Sequence, residues 1–241
     1  MEKQKYAAIV LAAGSGKRMN SQVHKQYLII QDRPVLYYSL KEFEDSAVDE
    51  IVLVVGKGEE EFCRREIVDK YGISKVKAIV EGGKERYHSV FEGLKQTSDA
   101  DYVLIHDGAR PFVNQDIIRR CMQEVQKYQA CVVGMPVKDT IKIADEEGYA
   151  KQTPDRKNVW MIQTPQTFSY ALIYEAYEEM LKTEDTAITD DAMVLERIKG
   201  KKSKLIEGSY RNIKITTPED LLIANCLLYT SPSPRDRSVS R

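Results

Sequence analysis

The order of apolar segments along the chain constrains the fold more than any other feature of the sequence. Short unbroken runs of β-branched and aliphatic residues alternate with longer segments whose apolar residues recur at helical spacing. The runs lie at residues 7–12, 51–55, 76–80, 102–105 and 131–135. Runs that are apolar on both sides predict strands covered on both faces, as in a parallel sheet. We therefore expect an α/β fold with a mostly parallel twisted sheet and helices on both faces.

Several segments between and after these runs are predicted to be helices. Residues 34–43 and 116–128 carry apolar side chains at intervals of three or four. Thr217 followed by Pro218 and two acids predicts a helix start, because a capping hydroxyl, a proline in the first turn and negative charge all favour one. Ligands of such folds bind beyond the carboxyl ends of the strands, so the loops there are the candidate site.

Residues 137–160 interrupt this alternation, because they show neither a helical period nor a long apolar run. The turn-forming residues 145–148 lie near the middle of the segment, so we predict a projecting β-hairpin arm, with a surface loop as the alternative. Apolar side chains alternate on the arm at Ile141, Ile143 and Tyr149. They would need a partner surface, which suggests a homodimer.

Composition excludes several classes of protein. The chain has 241 residues, with 36 Lys and Arg against 37 Asp and Glu, and this balance argues against a nucleic-acid binder that works by bulk charge. No apolar run approaches the length of about 18 residues that a membrane span needs. The four cysteines form no CxxC pair, so we expect reduced thiols in a cytoplasmic protein.

The chain divides into a domain and a tail. We predict a single domain over residues 1–229, because the strand and helix patterns continue to that point. Residues 230–241 are rich in Ser, Pro and Arg and carry almost no apolar side chains, which predicts a disordered tail. A non-native extension of the reading frame is the alternative interpretation of this tail.

The glycine-containing segment 11–19 (LAAGSGKRM) follows the first predicted strand. Arg18 stands where a Walker loop needs Ser or Thr, and Met19 replaces the third glycine of the dinucleotide-binding motif, so both of these motifs are excluded. The small residues let backbone N–H groups approach phosphate oxygens. Together with Lys17, Arg18 and Lys25 they suit a triphosphate whose leaving pyrophosphate gains charge. A solvated basic loop after a structural turn is the alternative.

Asp107 directly follows another predicted strand, in the segment HDGARP. A single carboxylate at this edge of the sheet is a reasonable ligand for Mg²⁺, which usually takes one or two carboxylates together with substrate phosphates. An ion pair with Arg110 or a role as a turn cap is the alternative. His106 alone is better interpreted as a packed histidine than as a base.

Three further segments carry candidate residues, and each has an ordinary structural explanation as its alternative. The segment 82–89 (GGKERYHS) can read a base or ribose at a helix N-terminus, or can simply be a capped turn. Arg156 can clamp a substrate phosphate with two hydrogen bonds, or can stabilise the arm. Lys214 lies in the run NIKIT, which we predict to be strand-like, and can present a point charge near the sheet edge or lie exposed.

Taken together and in this order, the motifs resemble those of the 2-C-methyl-D-erythritol 4-phosphate cytidylyltransferase family, among the sugar- and polyol-phosphate cytidylyltransferases. They are AAGSGKRM with KQYL, GGKERYHSV, HDGARP, DTIK, TPDRKNVW with QTPQ, ITDDA and NIKITTPEDL, and they span residues 6–228. The resemblance implies a Rossmann-like nucleotidyltransferase domain and a homodimer with interlocked arms. It also implies CTP as co-substrate, Mg²⁺ as metal and CMP transfer to the polyol phosphate with release of pyrophosphate, in the non-mevalonate route to isoprenoids.

The resemblance also implies roles for individual residues. The catalytic side chains would be Arg18, Lys25, Arg156 and Lys214. The CTP pocket would be formed by Ala12, Ala13, Gly14, Ser15, Gly16, Gly83, Arg86 and Ser89. The methylerythritol phosphate would contact Thr140, Arg156, Thr164, Thr189 and Lys214. Asp107 would hold Mg²⁺, and Thr140 and Arg156 would come from the partner's arm. One departure is His24, where the family commonly has proline, and this change can loosen the loop that holds Lys25.

Three other functions remain open from the sequence. A ribitol 5-phosphate cytidylyltransferase shares the glycine loop and the HDGARP segment, although TPDR with Trp160 favours methylerythritol phosphate. A glycosyltransferase on a similar sheet would ordinarily use a D-x-D metal motif, which follows none of the predicted strands. A nucleotide-binding module without catalysis is disfavoured by the full set of charged residues.

Overall fold

The computed structural model describes residues 3–14, 24–183 and 187–229. Eleven strands are found in these ranges: β1 Tyr6–Ala12, β2 Ile29–Ile30, β3 Arg33–Pro34, β4 Glu50–Val55, β5 Val76–Glu81, β6 Tyr102–Asp107, β7 Ala130–Pro136, β8 Ile143–Ala144, β9 Ala150–Gln152, β10 Trp160–Ser169 and β11 Lys204–Glu207. Seven α-helices accompany them in the same ranges: α1 Val35–Glu44, α2 Glu60–Cys63, α3 Arg86–Leu94, α4 Gln115–Tyr128, α5 Tyr170–Met180, α6 Asp191–Lys199 and α7 Pro218–Tyr229. Shorter turns of 3-10 helix lie at Lys25–Tyr27 and Arg156–Asn158, and a π-helical turn at Arg64–Asp69 follows α2.

A seven-stranded sheet forms the centre of the molecule, in the order β11-β7-β10-β6-β1-β4-β5. Neighbouring strands are parallel except at β10, which runs antiparallel to both β6 and β7. The carboxyl ends of β1, β4, β5 and β6 therefore lie at one edge of the sheet. The predicted α/β fold with a mostly parallel sheet is confirmed.

Helices pack on both faces of this sheet because alternate strand residues point in opposite directions. On one face Ala8 and Val10 of β1 belong to the core that contains the apolar side chains of α1 and α4. On the other face Ala7 and Ile9 belong to the core that contains those of α3, α5 and α6. These four residues of β1 are completely buried, which explains why the sequence shows an unbroken apolar run there.

The structure differs from the sequence prediction at two strands and one connection. The long strand β10 lies in the middle of the sheet although Gln163, Thr164, Gln166 and Thr167 interrupt its apolar character, and all four side chains are buried. The edge strand β11 was also not predicted from the sequence. The segment 212–216, predicted to be strand-like, is instead an irregular connection to α7.

The segment predicted to form an arm contains the two-stranded antiparallel hairpin of β8 and β9. The N–H of Gly148 donates to the carbonyl of Asp145, and the N–H of Asp145 donates to the carbonyl of Tyr149, so the turn lies where the sequence places it. Every residue from 138 to 153 is exposed. None of the helices in the described ranges combines the length and the hydrophobicity of a membrane span.

Candidate active site

A cavity of about 380 Å³ lies at the carboxyl ends of β1, β5 and β6. It brings together nine of the residues predicted for the site, which are Ala12, Ala13, Gly14, Lys25, Gly83, Arg86, Ser89, Asp107 and Lys214. Ser15, Gly16 and Arg18, also predicted for the site, lie outside the described residues, as does the tail at 230–241. The cavity therefore joins segments that are far apart in the sequence, as a nucleotide site at the edge of an α/β sheet requires.

Asp107 is the charged centre of this cavity. It ends β6 beside Leu11 of β1, so its carboxylate lies next to the start of the glycine segment. Its side chain is buried, with Oδ2 lying 2.8 Å from Nζ of Lys214 and 3.7 Å from Nε of Arg110, and Oδ1 lying 3.5 Å from Nε of Arg86. Burial opposes ionisation, but the positive charges of Lys214, Arg86 and Arg110 outweigh it and hold the pKa of Asp107 well below its ordinary value.

Arg86 is fixed by a residue to which the sequence analysis gave no role. Its two terminal nitrogens donate to the two carboxylate oxygens of Asp191, at 2.7 and 2.8 Å. Asp191 is completely buried and also accepts a hydrogen bond of 2.6 Å from the hydroxyl of Tyr177. Gln166 of β10 accepts from the N–H of Asp191, which holds the start of α6 against the sheet. The quoted motif ITDDA was the only signal for Asp191 in the sequence.

Lys214 reaches Asp107 through an irregular segment that the main domain holds in place. The N–H of Ile215 donates to the carbonyl of Ala109 at 2.8 Å, and a terminal nitrogen of Arg110 donates to the carbonyl of Asn212 at 2.8 Å. The amide of Asn212 in turn donates to the carbonyl of Thr164 at 2.9 Å. These hydrogen bonds therefore hold Lys214 beside Asp107 without strand pairing.

Thr164 and His106 support the backbone beneath Asp107 and do not line the cavity. The N–H of Asp107 donates to the Thr164 hydroxyl at 3.0 Å, and this hydroxyl lies 3.0 Å from Nδ1 of His106. Nε2 of His106 donates to the carbonyl of Arg110 at 3.2 Å. Burial lowers the pKa of His106 to about 4, so the ring is neutral at pH 7 and packs as the sequence suggested. In this structure the Thr164 hydroxyl therefore helps to fix the backbone of Asp107.

The glycines after β5 allow the close approach that the pocket requires. A Cβ at Gly82 would lie 2.6 Å from Cβ of Ala13, and a Cβ at Gly83 would overlap Cβ of His88. The hydroxyl of Ser89 accepts a hydrogen bond from the N–H of Gly83 at 3.2 Å. The turn into α3 is therefore packed directly against the end of β1.

Lys25 lies in the 3-10 turn at Lys25–Tyr27 and lines the same cavity. The neighbouring residue, Gln26, is buried and donates from its amide to the carbonyl of Ala12, the last residue of β1. This bond ties the turn to the strand from which the glycine segment begins.

The remaining predicted residues lie outside the cavity of this chain. Thr140 and Arg156 are exposed on the arm, and Arg156 donates to the carbonyl of Lys138 at 3.0 Å, which stabilises the arm itself. Thr189 is exposed before α6, with its hydroxyl 3.8 Å from Sδ of Met193. The structure thus brings together Asp107 and those residues predicted for CTP that lie in the described ranges, and leaves those of the arm apart from them.

Comparison with known proteins identifies the fold and its relatives. The family model of 2-C-methyl-D-erythritol 4-phosphate cytidylyltransferase (IspD) matches residues 6–230. A protein of that name from Lachnospira eligens is 54% identical over 92% of this chain and 98% of its own length. Another, from Lachnoclostridium phytofermentans, is 50% identical over 93% of this chain and 97% of its own length.

A solved structure agrees with these relatives. The crystal structure of 4-diphosphocytidyl-2C-methyl-D-erythritol synthase from Anaerococcus prevotii superposes with a TM-score of 0.83 at 37% identity, covering 94% of this chain and 96% of that one. These findings confirm the resemblance, the Rossmann-like fold class and the assignment as a cytidylyltransferase, and they do not favour the ribitol 5-phosphate alternative. The chain therefore belongs to the 2-C-methyl-D-erythritol 4-phosphate cytidylyltransferase family.

Proposed function

We propose that the cavity around Asp107 is where this enzyme transfers CMP from CTP to 2-C-methyl-D-erythritol 4-phosphate, with release of pyrophosphate. One observation carries the location: Asp107, Lys214, Arg86 and Lys25 line a single cavity beside the small residues that end β1. Backbone N–H groups and cations at such an edge suit a nucleoside triphosphate. The product is a CDP-linked polyol for the isoprenoid pathway.

The charges of the site account for the chemistry. The phosphate of the polyol is already a nucleophile, so the reaction needs no strong base, and the buried neutral His106 is not required as one. The difficulty lies in bringing two anions together while negative charge moves onto pyrophosphate. Lys25, with Arg18 as the family resemblance implies, would stabilise the departing oxygens, and Lys214 would hold the attacking phosphate in line.

The residues present fit Mg²⁺ if the triphosphate supplies some of its ligands. Asp107 supplies a single carboxylate, and among the described residues no cluster of three or more His, Cys, Asp or Glu side chains gathers. The three cations beside Asp107 would repel a bare divalent ion, so we propose that Mg²⁺ enters with the triphosphate, whose oxygens supply further ligands. Bound there, Mg²⁺ would neutralise charge on the reacting phosphates.

We propose that the arm completes the polyol-phosphate side of a site in a second copy of the chain. Ile143 and Tyr149 expose 45% and 69% of their surface, and such apolar side chains on a projecting hairpin favour burial against a partner. In a homodimer with exchanged arms, Thr140 and Arg156 would reach the partner's cavity. Thr189, exposed before α6, and Thr164, beneath Asp107, stay proposals as contacts of the polyol phosphate.

We also propose that the enzyme works in the cytoplasm. Cys63, Cys121 and Cys131 are buried as thiols, which agrees with a reducing compartment.

The experiment that tests the proposed function is a pyrophosphate-release assay. Purified enzyme with Mg²⁺ is offered each of the four ribonucleoside triphosphates, with either methylerythritol phosphate or ribitol 5-phosphate. We expect release with CTP and methylerythritol phosphate together. Equal or faster release with ribitol 5-phosphate would contradict the assignment, as would release that is independent of the polyol.

A further inference from the structure

The turn that carries Lys25 has a second attachment, formed by residues that do not line the cavity. Glu59, between β4 and α2, contacts the residues on both sides of the Lys25–Gln26 pair. Its Oε1 lies 2.7 Å from Nδ1 of His24, and its Oε2 accepts a hydrogen bond of 2.7 Å from the hydroxyl of Tyr27. One carboxylate therefore contacts both ends of the turn, through a hydrogen bond from Tyr27 and a close contact with His24.

Glu59 is itself held by its surroundings. The N–H of Gly56 donates to its Oε2 at 2.9 Å, so the carboxylate closes a tight turn directly after β4. The Tyr27 hydroxyl also lies 3.0 Å from Sγ of Cys63, and the Tyr27 ring packs edge-on against Phe62 with a centroid separation of 5.1 Å. A Cβ at Gly56 would lie only 2.6 Å from Oε2 of Glu59, so glycine leaves room for the carboxylate.

This arrangement joins the loops after two neighbouring strands. Gln26 ties the turn to the end of β1, and Glu59 ties it to the end of β4. The side chains of His24 and Glu59 are 34% and 19% exposed, so water screens their contact less than it would on an open surface. Lysine has four flexible methylene groups, and the position of its charge depends on how firmly the backbone that carries it is held.

We propose that Glu59 is a positioning residue for Lys25, acting through His24 and Tyr27. The inference rests on the proposed function, because it assumes that Lys25 stabilises charge on the triphosphate. Glu59 does not touch the substrates in this scheme. It keeps the turn in one arrangement, so that the ammonium group meets the departing phosphates without prior reordering.

Single substitutions give the first part of the test. Misplacement of a catalytic group by about 1 Å can cost as much as 10²-fold, so we expect Glu59→Ala to lower kcat about tenfold or more and to leave KM for methylerythritol phosphate unchanged. Glu59→Gln keeps an oxygen for Tyr27 and should recover part of the loss. Gly56→Ala should mimic Glu59→Ala, because it displaces the carboxylate without removing it. Glu61→Ala, at an exposed site on α2, is the matched control and should be neutral.

A double-mutant cycle with Lys25→Ala is decisive. If Glu59 acts through Lys25, Glu59→Ala should lower kcat no further once Lys25 is alanine. Losses that multiply would overturn the inference, and so would a fall confined to KM for the polyol phosphate. Melting curves confirm folding, and if Glu59→Ala does not fold, Gly56→Ala and Glu59→Gln complete the same cycle. A wild-type enzyme that releases no pyrophosphate would instead overturn the proposed function, and this inference with it.

Discussion

The surroundings of Asp107 and the arm hold their charged residues in opposite ways. Asp107 is only 8% exposed, and its cationic neighbours are anchored by further bonds, such as the pair of contacts from Arg86 to a fully buried Asp191. Arg156 lies exposed and bonds to a carbonyl of its own arm. The comparison teaches that a single chain fixes the charges of the proposed nucleotide side, whereas the charged arm residues lie exposed, with contacts inside the arm. Substitutions in the two regions should therefore differ in their effects on kcat and KM.

The largest expected effect is on the nucleotide side. Lys25→Ala should lower kcat about 10²–10³-fold, because removing one donor aimed at developing charge typically costs that much. The fold should survive, since Gln26 still ties the turn to β1. Steady-state kinetics with CTP and methylerythritol phosphate measure the change, and Lys202→Ala, at an exposed lysine that does not line the cavity, is the control. Near-wild-type turnover of Lys25→Ala would refute the role of this lysine.

On the arm, Arg156→Ala should chiefly weaken binding of the polyol phosphate. Loss of a charge-assisted hydrogen bond predicts a rise of about tenfold or more in KM for methylerythritol phosphate, with little change in KM for CTP. The melting temperature should change little, because the residue is exposed and its bond to Lys138 lies within the arm. Titration of each substrate at saturation of the other separates these effects, and the exposed neighbour Lys157→Ala serves as control. A selective rise in KM for CTP would contradict the assignment.

Mixing the two impaired variants tests whether the arm acts across subunits. In a dimer of one Lys25→Ala chain and one Arg156→Ala chain, exchanged arms would pair the intact Lys25 of one subunit with the intact Arg156 of the other. With methylerythritol phosphate well below its KM, unfolding and refolding the mixture should therefore give more activity than either variant shows alone. Failure to restore activity in verified mixed dimers would show that each arm serves its own chain.

In the core behind Arg86, Tyr177→Phe should lower the free energy of unfolding but should change kcat little. The change removes the hydrogen bond to buried Asp191, and a bond to a charged group contributes about 1.5–3 kcal/mol to the free energy of unfolding. Arg86 still holds Asp191 by two bonds, so kcat should fall little. Urea unfolding measures the loss, with Tyr174→Phe on the same helix as control. An unchanged free energy of unfolding would show that the hydroxyl is not needed.

The sequence predicted those strands and helices whose pattern of apolar residues matches their burial in the fold. The apolar run at residues 7–12 became the buried strand β1, since both faces of a central parallel strand are covered. The strand β10 was missed because buried Gln166 and Thr167 look like loop residues. Gln166 is satisfied by the N–H groups of Asp191 and Ala192 at the start of α6, and sequence order cannot show such distant partners.

For the candidate site, the sequence predicted residues at the edge of the sheet but not the residues that support them. Asp107 was found because an acid directly after a buried strand must lie at the ligand edge of the sheet. The alternative of an ion pair with Arg110 is observed, at 3.7 Å, and the proposed contact with Mg²⁺ would use the same carboxylate. The role of Asp191 could not be predicted, because it contacts Arg86 from within the core. The role proposed for Glu59 could not be predicted either, because Glu59 does not line the cavity.

The smallest predicted effect concerns the segment that delivers Lys214. Asp220 closes this segment onto α7, because its Oδ2 accepts hydrogen bonds from the N–H groups of Thr216 and Thr217, at 2.7 and 2.8 Å. Partial burial opposes its ionisation, but the Thr216 hydroxyl, which also donates to Oδ2 at 2.7 Å, and these N–H groups hold the pKa of Asp220 below its ordinary value. A carboxylate with a lowered folded-state pKa stabilises the protein above its unfolded pKa of about 3.9, and the contribution fades as pH falls through the lower folded value.

Asp220→Ala should therefore lower the free energy of unfolding by about 1 kcal/mol at pH 7, as loss of a helix cap does. The difference from wild type should shrink below about pH 4, where the carboxylate protonates in the unfolded chain first. Urea unfolding across pH measures both, with Glu219→Ala, exposed at the same helix start, as the control. A difference that does not change with pH would mean that Asp220 acts by packing, and that Lys214 is held by the bonds of Asn212 and Ile215 alone.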